Sequence, residues 1–276
     1  MKTILASTDF SAVSNCAVEY AAELAKRASA KLILFHAYQI HVASPDGMVA
    51  VPLEAIHENS IKLLKKSAEK LHKKHGSTLK IEYKLACGFP VEEINLIATS
   101  SNADLIVMGM QGGGYISEKI IGSSTTALIK KSNCPVLAIH QGTKFTPIKK
   151  IAFACDYQHL NYPNALKPLN EIANLFHSEI LIVNVVQELE EVPTVTKAVE
   201  GIKLNRALEK MKHSFHYTIN NDITDGITDF TKEQEIDLVA MVPHSHTVFE
   251  TLFKQSNTKH MAFQIAKPFL AIHDTL

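Results

Sequence analysis

The sequence has no tryptophan, no net charge and no long apolar run. Its 28 basic residues balance 28 acidic ones, so we expect neither nucleic acid nor an anionic membrane as a partner. No stretch approaches the roughly 20 apolar residues that a membrane-spanning helix needs. The opening residues also lack the long apolar segment and cleavage site of a secretory signal, so we do not expect secretion.

Cysteine is scarce and scattered. No two of the four cysteines have the spacing of a paired metal or redox motif, and they stand at Cys16, Cys87, Cys134 and Cys155. This pattern predicts buried thiols in a reducing compartment rather than a disulfide framework or a zinc site. We therefore expect a cytoplasmic protein. Neither Cys16 nor Cys155 has a general base at a recognisable spacing, which disfavours a catalytic thiol.

An internal repeat organises the chain. Four segments of the first half recur in the same order in the second: Lys2–Asp9 with Lys149–Asp156, Leu32–Ala37 with Ile180–Val185, Ala103–Met108 with Ile236–Met241, and Cys134–His140 with Lys267–His273. Four ordered matches indicate a duplication. We predict two tandem domains, residues 1–142 and 148–276, each long enough for a core of its own.

Apolar strands alternate with amphipathic helices within each copy. The first, second and fourth strands are continuous apolar runs, which is typical of parallel strands buried on both faces. The pattern predicts an α/β fold of two doubly wound domains, each with a five-stranded, mostly parallel sheet in the order 3-2-1-4-5. The terminal strands, Val136–His140 and Phe269–His273, are edge strands, and we expect the two domains to pair through them. His140 and His273 should then lie at the domain contact.

Candidate ligand residues follow the strands that flank the expected reversal of strand order. Strand one ends in Thr8 and Asp9, and strand four runs into a glycine segment, 109–114. Glycine backbone amides can curl around an anion, and the helix that begins after Gly122 offers further amides and a favourable dipole. In the alternative interpretation these residues bind no ligand. The glycine segment is then only a surface loop, Ser123 only caps a helix and Asp9 is only a turn or cap residue.

The glycine spacing resembles a known motif. Gly109, Gly112 and Gly122-Ser123 form Gly-x2-Gly-x9-Gly-Ser, which resembles the ATP-binding motif of the universal stress protein family. The Gly88-Phe89-Pro90 helix start and the Pro135-Val136-Leu137 strand extend the resemblance. It implies a flavodoxin-like fold that binds ATP or AMP. Ser7, where many family members have proline, and the extra glycines at 113 and 114 depart from the pattern.

The resemblance also implies roles for individual residues. Three should surround adenine and ribose: Thr8, Asp9 and Ala37. Five should hold ribose and phosphates: Gly109, Gly112, Gly122, Ser123 and Ser124. Asp9 could supply at most one contact to Mg²⁺.

The second copy lacks this motif. Val242, Ser245 and Gln255 stand opposite the three glycines, and only Ser256 and Asp156 are retained. We expect no nucleotide to bind there in the same manner. His244 and His246, with His260 and Asp156, could form a metal or anion site, although neighbouring loop histidines are more often surface residues.

The favoured function is a cytoplasmic stress-response sensor or regulator that binds ATP or AMP in its first domain. We expect at most slow ATP hydrolysis or autophosphorylation, because no activated nucleophile is evident in the sequence. The second domain would act as a built-in dimer partner, with a homodimer and an unknown protein partner as further expectations. A nucleotide-independent interaction module is the alternative. An adenylate-forming enzyme fits less well, because Thr8–Ser11 contains no glycine.

Overall fold

Strands and helices alternate along both halves of the chain. The computed structural model describes residues 1–39, 53–110, 123–155, 165–186, 195–243 and 267–273. The elements of the first half are β1 (Thr3–Ser7), α1 (Ala12–Ala28), β2 (Lys31–Tyr38), α2 (Leu53–His75), β3 (Ile81–Cys87), α3 (Pro90–Ser100), β4 (Leu105–Met110), α4 (Ser123–Lys131) and β5 (Val136–His140).

The second half repeats this alternation. Its described elements are β6 (Lys150–Ala154), α5 (Lys167–Phe176), β7 (Glu179–Val186), α6 (Val195–Ala207), β8 (His213–Ile219), α7 (Ile223–Glu233), β9 (Leu238–Met241) and β10 (Phe269–Ala271). The helices that follow the first and second strands are shorter here than their counterparts, α1 and α2.

All the described strands belong to one ten-stranded sheet. Its order is β3-β2-β1-β4-β5-β10-β9-β6-β7-β8, so the predicted order 3-2-1-4-5 occurs twice. Neighbouring strands are parallel except β5 and β10, which are antiparallel with Leu137 opposite Leu270. The predicted pairing of the two terminal strands is therefore confirmed. It removes the exposed edge that each half would otherwise present.

The sheet is buried on both faces. Side chains alternate along β1, where Ile4 and Ala6 pack on one face and Leu5 packs on the other, all three without solvent exposure. Helices α1, α2, α5 and α6 cover the first face, while α3, α4 and α7 cover the second. This arrangement explains the continuous apolar runs in the sequence.

The duplication extends to individual hydrogen bonds. The Asp104 carboxylate accepts hydrogen bonds from the backbone N–H groups of Lys2 and Thr3 where β1 begins. Asp237 makes the matching bonds to the amides of residues 149 and 150 at the start of β6, at 2.7 and 3.0 Å. The same acidic residue before the fourth strand therefore fixes the start of the first strand in both halves.

The segment between β5 and β6 packs between the halves. The Phe145 ring lies 4.9 Å from the Tyr20 ring of α1 and 6.0 Å from the Phe176 ring of α5, centroid to centroid. His273 contacts the opposite half, since its Nε2 lies 2.6 Å from the Ile129 carbonyl oxygen in α4. This contact confirms the expectation for His273. His140 is likewise buried at the end of β5.

The cysteines correct one expectation. All four are free thiols. Burial raises the pKa of the Cys134 thiol to about 12, and Cys16 and Cys155 are partly buried. Cys87, however, is exposed, so the prediction of buried thiols is wrong there. The reason is its place on β3, the end strand of the sheet, where one side has no neighbouring strand among the described residues.

Candidate functional site

The carboxyl ends of β1 and β4 lie side by side where the strand order reverses. Ala6 is the register partner of Val107, so Thr8 and Gly109, two residues further on, are level with each other. In an open parallel sheet this position leaves a crevice, because the connections from the two strands leave toward opposite faces. Two of the predicted ligand segments therefore meet here.

A hydrogen-bonded turn joins β1 to α1. Thr8 is only 4% exposed, and its hydroxyl oxygen accepts a hydrogen bond from the Phe10 amide at 2.9 Å. The same oxygen lies 3.1 Å from the Ser14 hydroxyl. Ser11 is the N-cap of α1, and its side chain accepts a bond from the Ser14 amide at 3.2 Å. These bonds hold the turn in one conformation against the start of the helix.

Asp9 is exposed on this turn. Its carboxylate accepts a hydrogen bond from the Ser11 amide at 3.0 Å, so the turn-forming role is present in the structure. Partial burial raises the pKa of Asp9, but hydrogen bonds from Ser11 and Ser14 outweigh burial and leave the pKa below its ordinary value. Asp9 is therefore ionised at neutral pH and can accept hydrogen bonds from ligand hydroxyl groups.

His36 on the neighbouring strand β2 contacts two residues of the turn, Thr8 and Phe10. Its Nδ1 donates a hydrogen bond to the Thr8 carbonyl oxygen at 2.7 Å, because a carbonyl can only accept. Its ring lies 4.6 Å from the Phe10 ring. Phe10 has a φ of +65°, which is uncommon for a bulky residue and costs about 1–3 kcal/mol. The contacts of His36 help to hold Phe10 in this conformation.

Ala37 follows His36 on the same strand and has the opposite orientation. It is half-buried and packs with the cluster on the α3, α4 and α7 side of the sheet. That is also the face on which Leu5 and Met108 lie.

Gly109 has a packing reason to be glycine. A Cβ built on it would lie 2.9 Å from the carbonyl carbon, carbonyl oxygen and Cγ1 of Val13 in α1. Contacts this short do not occur at real Cβ atoms, and two of these atoms belong to the backbone and cannot rotate away. A side chain at this position would push α1 and β4 apart, whether or not a ligand is bound.

Helix α4 is attached to the end of β4. The Thr125 hydroxyl donates a hydrogen bond to the Gly109 carbonyl oxygen at 2.9 Å, and Thr125 is buried. This bond places the first turn of α4, which contains Ser123 and Ser124, beside the crevice. Ser124 is half-buried. The first turn carries no acidic residue that would repel an anion from the helix amides and dipole.

The structure therefore gathers six of the eight predicted residues around one crevice: Thr8, Asp9, Ala37, Gly109, Ser123 and Ser124. Gly112 and Gly122 lie outside the described residues, as do Asp156, Ser245, Gln255 and Ser256 of the second half. Val242, the counterpart of Gly109, is described and packs against the core.

A metal site is not evident in the described ranges. No group of three or more His, Cys, Asp or Glu side chains is gathered there as a metal ion would require. The candidate loop histidines, His244, His246 and His260, lie outside those ranges. Within the same ranges, no helix has the length and apolar character of a membrane span.

Sequence reasoning missed three residues that shape the crevice. Ser14, His36 and Thr125 all bond to the turn or to the end of β4. One signal was available for His36, because it stands opposite Asn184 in the repeat. Asn184 Nδ2 donates to the Cys155 carbonyl at 2.8 Å, so the second half makes the same bond with a different side chain.

Comparison with known proteins gives consistent matches. Residues 1–140 match the model of the universal stress protein family. A universal stress protein of Methanocaldococcus jannaschii is 32% identical over 148 residues, which are 52% of this chain and 84% of that protein. One of Thermus aquaticus is 30% identical over 141 residues, which are 50% of this chain and 98% of that protein.

A solved structure matches both halves. The crystal structure of a universal stress protein from Archaeoglobus fulgidus has a TM-score of 0.75 and 17% identity, and the match covers 99% of this chain and 98% of that one. The similarity shows a shared fold along nearly the entire length of both chains.

Proposed function

The chain belongs to the universal stress protein family, and from that premise we propose that its first half binds an adenine nucleotide, ATP or AMP. One observation carries the proposal. Thr8 and Gly109 are level on adjacent strands at the reversal of strand order, and Thr125 bonds the first turn of α4 to the same point. The start of a helix, which in general favours anions, thus lies beside a turn that carries an ionised carboxylate.

The chemistry of the crevice fits the parts of a nucleotide. We assign the phosphates to the α4 amides and the Ser123 and Ser124 hydroxyls, together with Gly112 and Gly122. Asp9 would accept hydrogen bonds from ribose hydroxyls or contribute one contact to Mg²⁺. Thr8 and Ala37 would border adenine and ribose. Their side chains are small, which leaves space at the ends of β1 and β2.

We assign a regulatory rather than a catalytic role to this site. In the described part of the crevice, the hydroxyls of Thr8, Ser11 and Ser14 bond to one another and to backbone groups rather than to a general base. We propose a cytoplasmic sensor or regulator whose nucleotide-binding domain spans residues 1–142. Residues 148–276 would form a second domain that covers the β5 edge and does not bind nucleotide in the same way.

The test is thermal melting of the full chain with and without millimolar Mg-ATP, AMP and GTP. A ligand that binds only the folded protein stabilises it by about 2.7 kcal/mol at a hundredfold excess over Kd. We expect ATP or AMP to raise the melting temperature. The Gly122→Gln variant, which introduces the residue found in the second half, should lose that rise.

Gly201→Gln is the matched control. Gly201 lies in α6, and a Cβ built there meets no atom within 4 Å, so the same substitution should leave the nucleotide shift intact. Mass spectrometry of the purified protein must first exclude bound nucleotide. If neither ATP nor AMP then shifts the melt, the proposal fails, and the nucleotide-independent interaction module becomes the better account.

A further inference from the structure

The two end strands of the sheet differ in how they discourage pairing with another strand. β3 carries Glu82 and Lys84, and Glu82 forms an ion pair with Lys31 of β2 at 3.0 Å. Charged side chains are a common protection of exposed sheet edges, since a partner strand would have to bury or oppose them. β3 is therefore protected against pairing with a further strand.

β8, at the other end, has no such protection. Its seven residues, His-Ser-Phe-His-Tyr-Thr-Ile, contain no Asp, Glu, Lys or Arg. Tyr217 is 60% exposed and Ile219 is 51% exposed. Among the described residues, no strand lies beyond β8. A long uncharged edge with exposed apolar side chains is a site for strand addition.

We propose that β8 pairs antiparallel with β8 of a second copy of this chain, across a two-fold axis at His216. The two ten-stranded sheets would then form one continuous sheet. A two-fold arrangement closes after two copies, whereas head-to-tail addition of β8 to the β3 edge of another copy would continue without limit.

The backbone register of β8 suits this axis. The Lys212 carbonyl accepts a bond from Ile180 of β7, and the Asn220 amide donates to Val186 of β7. The backbone N–H and C=O groups of the even-numbered residues of β8 therefore point toward β7, and those of the odd-numbered residues point to the outer edge. An axis at His216 sets each odd-numbered residue of the strand opposite another, as directly hydrogen-bonded pairs.

The side chains are also self-complementary in this register. Phe215 lies opposite the copy's Tyr217, and this aromatic pair occurs twice. Ser214 lies opposite Thr218, which pairs two hydroxyl side chains. Such cross-strand pairs each contribute a fraction of a kcal/mol up to about 1 kcal/mol.

The charges around the strand favour the same arrangement. Lys210 precedes β8 and Asp222 follows it, so the antiparallel copies bring the basic end of one strand toward the acidic end of the other. Centred pairing of β3 would instead oppose Lys84 to Lys84, which is unfavourable. Self-pairing is thus complementary for β8 and repulsive for β3.

Sedimentation velocity of the full chain tests the proposal. We expect the wild-type chain to be a dimer and the Tyr217→Lys variant to be a monomer. The substitution places a lysine opposite Phe215 of the other copy, and this replacement of the aromatic pair occurs twice in the dimer. Tyr83→Lys on β3 is the matched control and should leave the dimer unchanged. Unfolding curves of both variants confirm that they remain folded, which is expected because Tyr217 and Tyr83 are exposed.

A cysteine cross-link tests the register separately, in a Cys87→Ser background. His216→Cys should form a disulfide-linked dimer on mild oxidation, since residues opposed on a two-fold axis approach to about 4.5 Å in a non-hydrogen-bonded pair. Ile219→Cys should not, because its opposite residue is His213. A wild-type chain that is monomeric up to about 100 µM, a range that would detect even weak association, overturns the proposal. So does a dimer that survives Tyr217→Lys.

Discussion

Replacing His36 tests whether its bond to the Thr8 carbonyl holds the turn that follows β1. The His36→Leu variant removes the donor and leaves a part-buried carbonyl without that partner, which costs about 1–3 kcal/mol. It also removes the ring contact with Phe10, which adds about 0.5–1.5 kcal/mol. We therefore expect a clear fall in the free energy of unfolding.

The second half supplies the control for this experiment. Asn184 holds the matching position and donates to the Cys155 carbonyl at 2.8 Å, so an asparagine amide can make the bond from this place on the strand. His36→Asn should keep the hydrogen bond and lose only the ring contact. We expect its cost to stay near 1 kcal/mol, well below that of the leucine variant.

Urea denaturation followed by circular dichroism gives the two costs from the shift in midpoint at constant slope. Equal destabilisation by leucine and asparagine would show that the hydrogen bond contributes nothing. An unchanged midpoint for the leucine variant would refute the positioning role of His36 altogether. Asn184→Leu should show the same loss in the second half.

Two further substitutions test other parts of the fold. Gly109→Ala should destabilise the protein by about 1–3 kcal/mol without any ligand, because its Cβ would collide with Val13, and urea melts of the nucleotide-free chain measure this. Burial lowers the pKa of both His140 and His273 in the folded chain. Below the ordinary histidine pKa of about 6.5, these two side chains therefore bind more protons in the unfolded chain than in the folded one. The free energy of unfolding should then fall as the pH drops from about 6.5. His140→Gln with His273→Gln should flatten that dependence in melts between pH 5 and 8, and an unchanged slope would contradict the assignment.

The sheet could be predicted from the sequence because its signals are local and occur twice. The apolar runs that form β1 and β6 indicate buried parallel strands. Because the halves are repeats, the strand order predicted for one half also applies to the other. The start of helix α1 is harder to predict, because it begins at Ala12 directly after its capping residue, Ser11. Apolar periodicity marks the buried side of a helix, whereas its start depends on a hydrogen bond of the capping residue.

The crevice was predictable only in outline. Strand ends and glycines marked Thr8 and Gly109, but the reason for Gly109 lies in its approach to Val13, which is distant in sequence. Spacing suggested bare amides for a phosphate, and it carried no information about helix packing. The role of His36 was hidden for the same reason, because its partner belongs to another strand.

Both halves retain the residues that hold the sheet together, whereas only the first half retains the glycine motif. This difference separates the residues needed for packing from those proposed for ligand binding. Residues that hold the frame have counterparts that make the same contacts, as Asp104 and Asp237 do at the strand starts. Leu137 and Leu270 likewise face each other across the β5–β10 pair. The nucleotide motif, by contrast, is not retained, since Gln255 stands opposite Gly122 and Val242 opposite Gly109. Covering the β5 edge requires a folded second half but not a second nucleotide site. We therefore expect that Val242→Gly alone would not create one, which nucleotide-dependent melting of a Gly122→Gln, Val242→Gly chain would check.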